Sequence, residues 1–310
     1  MDLSRRGFLA AGAITAVAAA AKVSAQTTTS SESLASVGTG KPFQMLYATH
    51  FGLFDKTVGK DPIDELKYMH DQGFRALEDN GMMGRPRELQ DKIAAEMERL
   101  GMTMGVFVAN ADFKNQSFVK KDAETRAMLV EKMKQAVELS KRIRAKWTTV
   151  VLDQYNQGVD WGYQTANAID NLRACAEVCE PAGLIMVLEP LNKHNHPGLF
   201  LSCASQAYAI CRAVNSPSCK ILYDMYHEQI STGNLIPNIN ACWDEIAYLQ
   251  IGDNPGRKEP GTGEVNYRNI FKHLHQKGYK GVLGMEHGKA QDTKEGEAAV
   301  IAAYRACDNF

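Results

Sequence analysis

Gly183-Leu184-Ile185-Met186-Val187-Leu188-Glu189 is a short apolar run entered from a glycine and left on a carboxylate. Gly73, Gly101 and Gly278 stand at the same kind of junction, where a helix should stop in a left-handed cap and a buried strand begin. Runs of this type recur at 43–49, 74–78, 102–109, 147–152, 184–189, 221–224, 246–251 and 282–286, eight in all. Stretches of helical spacing lie between them, such as Ile63, Leu66, Met69 and His70, or Ile93, Met97 and Leu100. Eight strand–helix units in about 270 residues predict an α/β chain folded as one (β/α)8 TIM barrel over residues 41–310. A doubly wound open sheet would place a glycine-rich phosphate turn after the first strand, and Tyr47-Ala48-Thr49-His50-Phe51-Gly52 is not such a turn.

The 310 residues include 35 Lys+Arg and 36 Asp+Glu, a formal net charge of −1, which excludes nucleic-acid binding by bulk positive charge. A hydrophobic fraction of 45% with 23% charged residues is that of an ordinary globular chain. Ser4-Arg5-Arg6-Gly7-Phe8-Leu9 precedes an Ala-rich apolar run over 10–21, and Val23-Ser24-Ala25 offers a small-residue cleavage site. This pattern resembles a twin-arginine export signal, so residues 1–25 are expected to be a signal peptide and the destination the periplasm. Residues 26–40, rich in Ser and Thr, read as a flexible linker. No stable membrane span is expected after cleavage. The seven cysteines, none spaced Cys-x-x-Cys, read as buried thiols rather than a zinc site or a disulfide scaffold.

In a barrel the active site lies where the strands end. The fifth to eighth runs end on Glu189, Asp224, Gln250 and Glu286, four oxygen donors on adjacent strands. Three carboxylates at one barrel mouth repel one another, and a divalent cation neutralises them; all-oxygen ligation suits Mg²⁺ or Mn²⁺. His227, three residues past Asp224, and Arg257, in a loop with Pro255, Gly256 and Pro260, stand near the same ends. Glu78 ends the second run and His50 follows the first, so both can line the mouth.

Glu189-Pro190-Leu191-Asn192, Asp224-Met225-Tyr226-His227, Gln250-Ile251-Gly252-Asp253-Asn254-Pro255-Gly256-Arg257, Gly261-Thr262-Gly263-Glu264-Val265-Asn266-Tyr267 and Gly284-Met285-Glu286 together resemble the hydroxypyruvate isomerase family, one of the xylose-isomerase-like TIM barrels. The similarity runs from residue 43 to about 287. It implies that Glu189, Asp224, Gln250 and Glu286 ligate the metal and that Glu189 and Glu286 also move the proton. It further implies that His227 donates to a substrate oxygen and that Arg257 grips a substrate carboxylate or terminal hydroxyls. Gln250 points the same way, since sugar epimerases of this group usually carry His there.

The expected activity is therefore a metal-dependent isomerisation of a small keto acid or keto sugar to its aldehyde isomer through an enediolate. No nucleic-acid partner is expected, and the sequence is compatible with a homo-oligomer. Sugar epimerisation, lyase action on a keto-glycoside, and an exported sugar-binding protein without catalysis are the alternatives. An abasic-site nuclease on the same fold would need a histidine-rich zinc site, and eight scattered His do not supply one. The chain departs from the family pattern at Glu286-His287-Gly288-Lys289-Ala290, where relatives continue Glu-Tyr and turn at a proline, and in its export signal.

Overall fold

The computed structural model describes residues 40–310. The expected signal peptide and residues 26–39 of the expected linker lie outside the described residues. The strands are β1 (Leu46–Thr49), β2 (Ala76–Leu77), β3 (Thr103–Met104), β4 (Val106–Asn110), β5 (Trp147–Val150), β6 (Ile185–Leu188), β7 (Cys219–Asp224), β8 (Ile246–Gln250) and β9 (Val282–Gly284). They form one sheet in the order β3-β2-β1-β9-β8-β7-β6-β5-β4, with every paired neighbour parallel. The two outermost strands of that order, β3 and β4, are consecutive in the chain, so the sheet closes on itself through a single residue. Helices such as Arg87–Leu100, Ala123–Ile143 and Trp161–Cys179 return the chain between parallel strands, as parallel pairing requires.

Nine strands stand where eight apolar runs were expected, because the run 102–109 divides at Gly105. Below the break the chain pairs with β2; above it, with β5. The Gly105 N–H still reaches the Leu77 carbonyl at 2.6 Å, and the Asp79 N–H reaches the Val106 carbonyl at 3.0 Å. A side chain at Gly105 would meet the Tyr248 hydroxyl, which projects from β8 across the barrel interior. The interior is otherwise small and aliphatic: Ala48, Ala76, Val106, Val187, Leu222 and Val282 pack around Tyr248. A larger apolar layer lies between sheet and helices, anchored by buried Tyr47, Phe74, Phe271 and Tyr304.

Helix starts carry the expected chemistry. Asp61 caps Pro62–Asp71, Asp122 caps Ala123–Ile143 and Thr293 caps Lys294–Cys307, each accepting from a first-turn N–H. The four junction glycines, Gly73, Gly101, Gly183 and Gly278, all have positive φ (97°, 64°, 67° and 77°). All seven cysteines are free thiols and five of them are buried. Among the described residues no helix is long and apolar enough to cross a membrane.

Gly284, the last residue of β9, leaves the space that the Glu78 carboxylate occupies, and a Cβ there would also stand 3.0 Å from Gln250 Cγ. Gly284→Ala should therefore cost about 1–3 kcal/mol, lowering Tm by roughly 2–4 °C per kcal/mol for a domain of this size. Gly162→Ala, on a helix with open space around the new methyl, should leave Tm unchanged or slightly raised. Thermal unfolding of the two variants followed by circular dichroism checks the contrast.

Candidate active site

Parallel closure points all strand C-termini the same way, so the residues that end them meet at one mouth. Asp224 ends β7 and Gln250 ends β8, and the two are paired in register; Glu189 directly follows β6, and Glu286 lies two residues past β9. Glu78 directly follows β2 and His50 directly follows β1. Glu189, Asp224, Gln250 and Glu78 are each at most 7% exposed, while the Glu286 side chain is 26% exposed.

The carboxylates raise one another's proton affinity. Glu189 is held well above the ordinary carboxylate range, first by burial and then by the charges of Glu286 and Asp224, with Arg257 opposing. Burial likewise raises Glu286, against Arg257, with Asp224 adding to the rise. Glu78, fully buried and next to Glu286, is raised for the same reasons although Tyr248 and Gln250 hydrogen-bond it. The Tyr248 hydroxyl donates to Glu78 Oε2 at 2.9 Å, and Gln250 Nε2 approaches the same oxygen at 3.4 Å. Glu78 Oε1 and Gln250 Oε1 are buried without a hydrogen-bond partner among the described residues.

Arg257 is the cation already in place. Its Nη2 donates to Asp224 Oδ2 and to Glu286 Oε2, both at 2.7 Å, and its Nε donates to the Glu286 carbonyl at 3.0 Å. The guanidinium also lies 4.9 Å from the Tyr226 ring centroid. In this arrangement it bridges two of the expected ligands. The loop that delivers it is built around buried Asp253, whose two oxygens accept from the N–H groups of Asn254, Gly261, Gly263 and Val265. Glu264 secures the same loop by accepting from Asn254 and Gln229.

His227 is fully buried, with Nε2 3.5 Å from Asp224 Oδ2 and 3.9 Å from Glu189 Oε1. Ligand atoms of Glu189, Asp224 and His227 all lie within 4.8 Å of one another. The tautomer decides how His227 takes part. Asn192 Oδ1 accepts from the Asn195 N–H at 2.9 Å, which fixes the amide so that Asn192 Nδ2 donates to His227 Nδ1 at 2.7 Å. The Asn192 backbone N–H approaches the same nitrogen at 3.3 Å. Nδ1 is therefore an acceptor and the proton sits on Nε2, turned toward the carboxylates with no hydrogen-bond partner among the described residues. Burial lowers this imidazole to about 4, against the pull of Asp224, so the ring is neutral near pH 7. An N–H is a donor and not a metal ligand, so within this cluster the carboxylate oxygens of Glu189 and Asp224 are the groups able to take a hard divalent cation.

A cavity of about 480 Å³ adjoins this cluster, lined in part by Glu78, Asn80, Arg85, Arg257 and Glu286. His50 also lines it, but both ring nitrogens face carbonyl oxygens, of Phe51 and His287, each at 3.0 Å. His50 thus presents its ring edge rather than a free nitrogen. Asn80 Nδ2 donates to Glu286 Oε1 at 2.7 Å. Where the chain departs from the family pattern, His287 turns inward, with Nε2 2.7 Å from the Tyr304 hydroxyl and its ring stacked on Tyr304. Reasoning from strand ends had no signal for Asn80, Asn192 or Tyr248. Asn192 follows Glu189 by three residues inside a quoted motif, and that spacing could have exposed it as the partner of His227.

Asn192→Ala should release Nδ1. The ¹⁵N shifts of His227, which report the protonated nitrogen, should change from a single Nε2–H form to a mixture of tautomers; unchanged shifts would remove Asn192 from this role.

Comparisons with known proteins bear on the family and the fold. Residues 66–307 match the family described as Xylose isomerase-like TIM barrel. Hydroxypyruvate isomerase of Escherichia coli is 37% identical over 140 residues, 45% of this chain and 54% of that one. The 2-oxo-tetronate isomerase of Cupriavidus necator is 32% identical over 131 residues, covering 42% of this chain and 50% of the relative. The matched stretch thus spans about half the length of these relatives. Among solved structures, the apo 3-keto-D-glucoside 4-epimerase of E. coli superposes with a TM-score of 0.70 at 19% identity, covering 85% of this chain and 100% of that one, a likeness of fold. The chain belongs to the xylose isomerase-like TIM barrel family.

Proposed function

We propose that the protein is a divalent-metal-dependent isomerase of hydroxypyruvate-isomerase type, which interconverts a small keto acid or keto sugar and its aldehyde isomer through an enediolate. The observation that carries this reading is the pair of glutamates with raised proton affinity, Glu189 and Glu286, both raised first by burial and further by Asp224, with Glu286 adding to the rise at Glu189. A carboxylate of raised proton affinity is a better acceptor for a carbon-bound proton than an ordinary one. The relatives named hydroxypyruvate isomerase and 2-oxo-tetronate isomerase support the same reaction class.

Glu189, Asp224, Gln250 and Glu286 would hold the metal, and the partnerless Gln250 Oε1 fits that use. When bound, a divalent ion such as Mg²⁺ or Mn²⁺ supplies Lewis acidity that lowers the barrier to removing a proton beside a carbonyl. One glutamate takes the proton from the hydroxyl-bearing carbon, and the other returns a proton to the former carbonyl carbon. The hydroxyl proton passes to the old carbonyl oxygen, so the atoms balance and no redox partner is needed. His227 Nε2–H, already aimed at the space between Glu189 and Asp224, donates to one of the two substrate oxygens. With a cation held by Asp224 and Glu286, Arg257 Nη2, which bridges the two carboxylates here, would be free to meet the substrate.

The cavity of about 480 Å³ has room for more than a three-carbon acid, which favours epimerisation of a keto sugar, or elimination from a keto-glycoside, as the second reading. The paired arginines and Ala-rich run over 5–21 support export to the periplasm as a further part of the proposal.

In D₂O, metal-loaded protein should place deuterium on carbon in a substrate such as hydroxypyruvate. Glu189→Gln and Glu286→Gln should each slow that exchange by roughly 10²–10⁴-fold, while Asp224→Ala should first weaken metal binding. Parental exchange rates in both glutamine variants would refute the reading.

A further inference from the structure

We infer that Arg85 anchors the anionic end of the substrate, in a subsite at the edge of the cavity beside Glu286 and Arg257. The inference rests on the isomerase reading for the identity of the ligand and on the geometry of the loop after β2 for the site itself. That loop runs from Glu78 through the helical turn Met82–Gly84 to Arg85.

Arg85 is held as a fork in one orientation. Its Nε donates to Asp79 Oδ2 at 2.5 Å and its Nη2 to Asp79 Oδ1 at 3.2 Å, and the Asp79 side chain is only 8% exposed. The guanidinium carbon also lies 4.8 Å from the Phe51 ring centroid. Two of the three nitrogens are thus fixed by a buried carboxylate and one face by an aromatic ring. Nη1 has no hydrogen-bond partner among the described residues, and Arg85 lines the cavity. A merely solvated surface arginine needs neither a buried bidentate partner nor a ring beneath it. A guanidinium preoriented in this way suits a planar carboxylate and loses little side-chain freedom on binding one.

Other cationic, amide and imidazole side chains lining the cavity are engaged elsewhere. Arg257 bridges Asp224 and Glu286, the Asn80 amide donates to Glu286, and both His50 nitrogens face carbonyl oxygens. A second cation stands at the same rim: Lys258 Nζ lies 2.9 Å from where a Gly288 Cβ would be, and Lys258 has no ion pair among the described residues. Gly288 itself lines the cavity. A substrate lying in the cavity would thus meet the Glu286 carboxylate and, at the rim, the open Nη1 of Arg85 and the Lys258 ammonium. The ligand chemistry this favours is a short polyol chain ending in an anion, and for an isomerase of this class we assign that anion to the carboxylate of a three- or four-carbon keto acid. A phosphate-terminated sugar shares the charge and is separated by the test.

Calorimetric titration of the full-length protein, stripped of metal by chelation, with D-glycerate, glycerol 3-phosphate and glycerol reads the subsite without turnover. The parent should bind glycerate at least tenfold more tightly than glycerol, the order of a charge-assisted hydrogen bond. Arg85→Gln should erase that preference, and Arg85→Lys, which keeps the charge but loses the fork, should retain part of it. Thermal unfolding of each variant identifies any loss of fold caused by leaving Asp79 unpaired; if Arg85→Gln does not fold, the parent and Arg85→Lys titrations decide. Glycerate binding no tighter than glycerol in the parent, or an equal preference in the folded variants, overturns the subsite. Tighter binding of glycerol 3-phosphate than of glycerate overturns the assignment to a carboxylate in favour of a phosphate. Absence of deuterium exchange in the parent would sink the isomerase reading while leaving these titrations, and the subsite, to stand or fall separately.

Discussion

The guanidinium of Arg257, set between Asp224 and Glu286, answers the main physical constraint on this molecule: four acidic side chains crowd one end of a parallel barrel. At an effective dielectric of about 20, two like charges about 4 Å apart repel by about 4 kcal/mol. The structure meets this repulsion in two ways, by raising the proton affinity of Glu78, Glu189 and Glu286 and by inserting Arg257. Both accord with the divalent-cation site proposed above.

Much of the surrounding construction follows from that constraint. Buried Asp253 gathers four backbone N–H groups to shape the loop that carries Arg257. Gly284 leaves room for the Glu78 carboxylate, and Tyr248 crosses the barrel interior to hydrogen-bond it. Gly105 in turn leaves room for the Tyr248 hydroxyl at the point where β3 gives way to β4. Asn192 fixes the His227 ring so that an N–H, not a lone pair, faces the acids.

The barrel was legible in the sequence because parallel strands buried on both faces must be nearly continuous apolar runs. The first donor past each run falls at the mouth by topology alone, which is why Glu189, Asp224, Gln250 and Glu286 could be picked out by position. The split at Gly105 was not legible, since 102–109 reads as a single run and the change of partner from β2 to β5 is set by other strands. Nor was the engagement of Arg257 by two acids, because turn residues show that a loop bends but not where its arginine lands. Asn80 and Arg85 share a loop with Glu78, and their roles depend on Glu286, Asp79 and Phe51, contacts that no local pattern encodes. His50 was correctly placed at the mouth by its position after β1, yet its nitrogens are taken by the backbone carbonyls of Phe51 and His287.

The central claim is that the crowded acids form a divalent-cation site, and thermal unfolding during Mn²⁺ titration of chelator-stripped protein tests it most directly. Carboxyls whose folded-state proton affinity is raised contribute stability at low pH that is lost as pH rises, so a bound cation should restore more at pH 8 than at pH 5.5. The account predicts one ion per chain and, at a hundredfold excess over the dissociation constant, a Tm rise of roughly 5–10 °C at pH 8. The rise should be smaller at pH 5.5. An unchanged Tm at pH 8 under saturating Mn²⁺ and Mg²⁺, or an equal rise in Asp224→Ala, would contradict it.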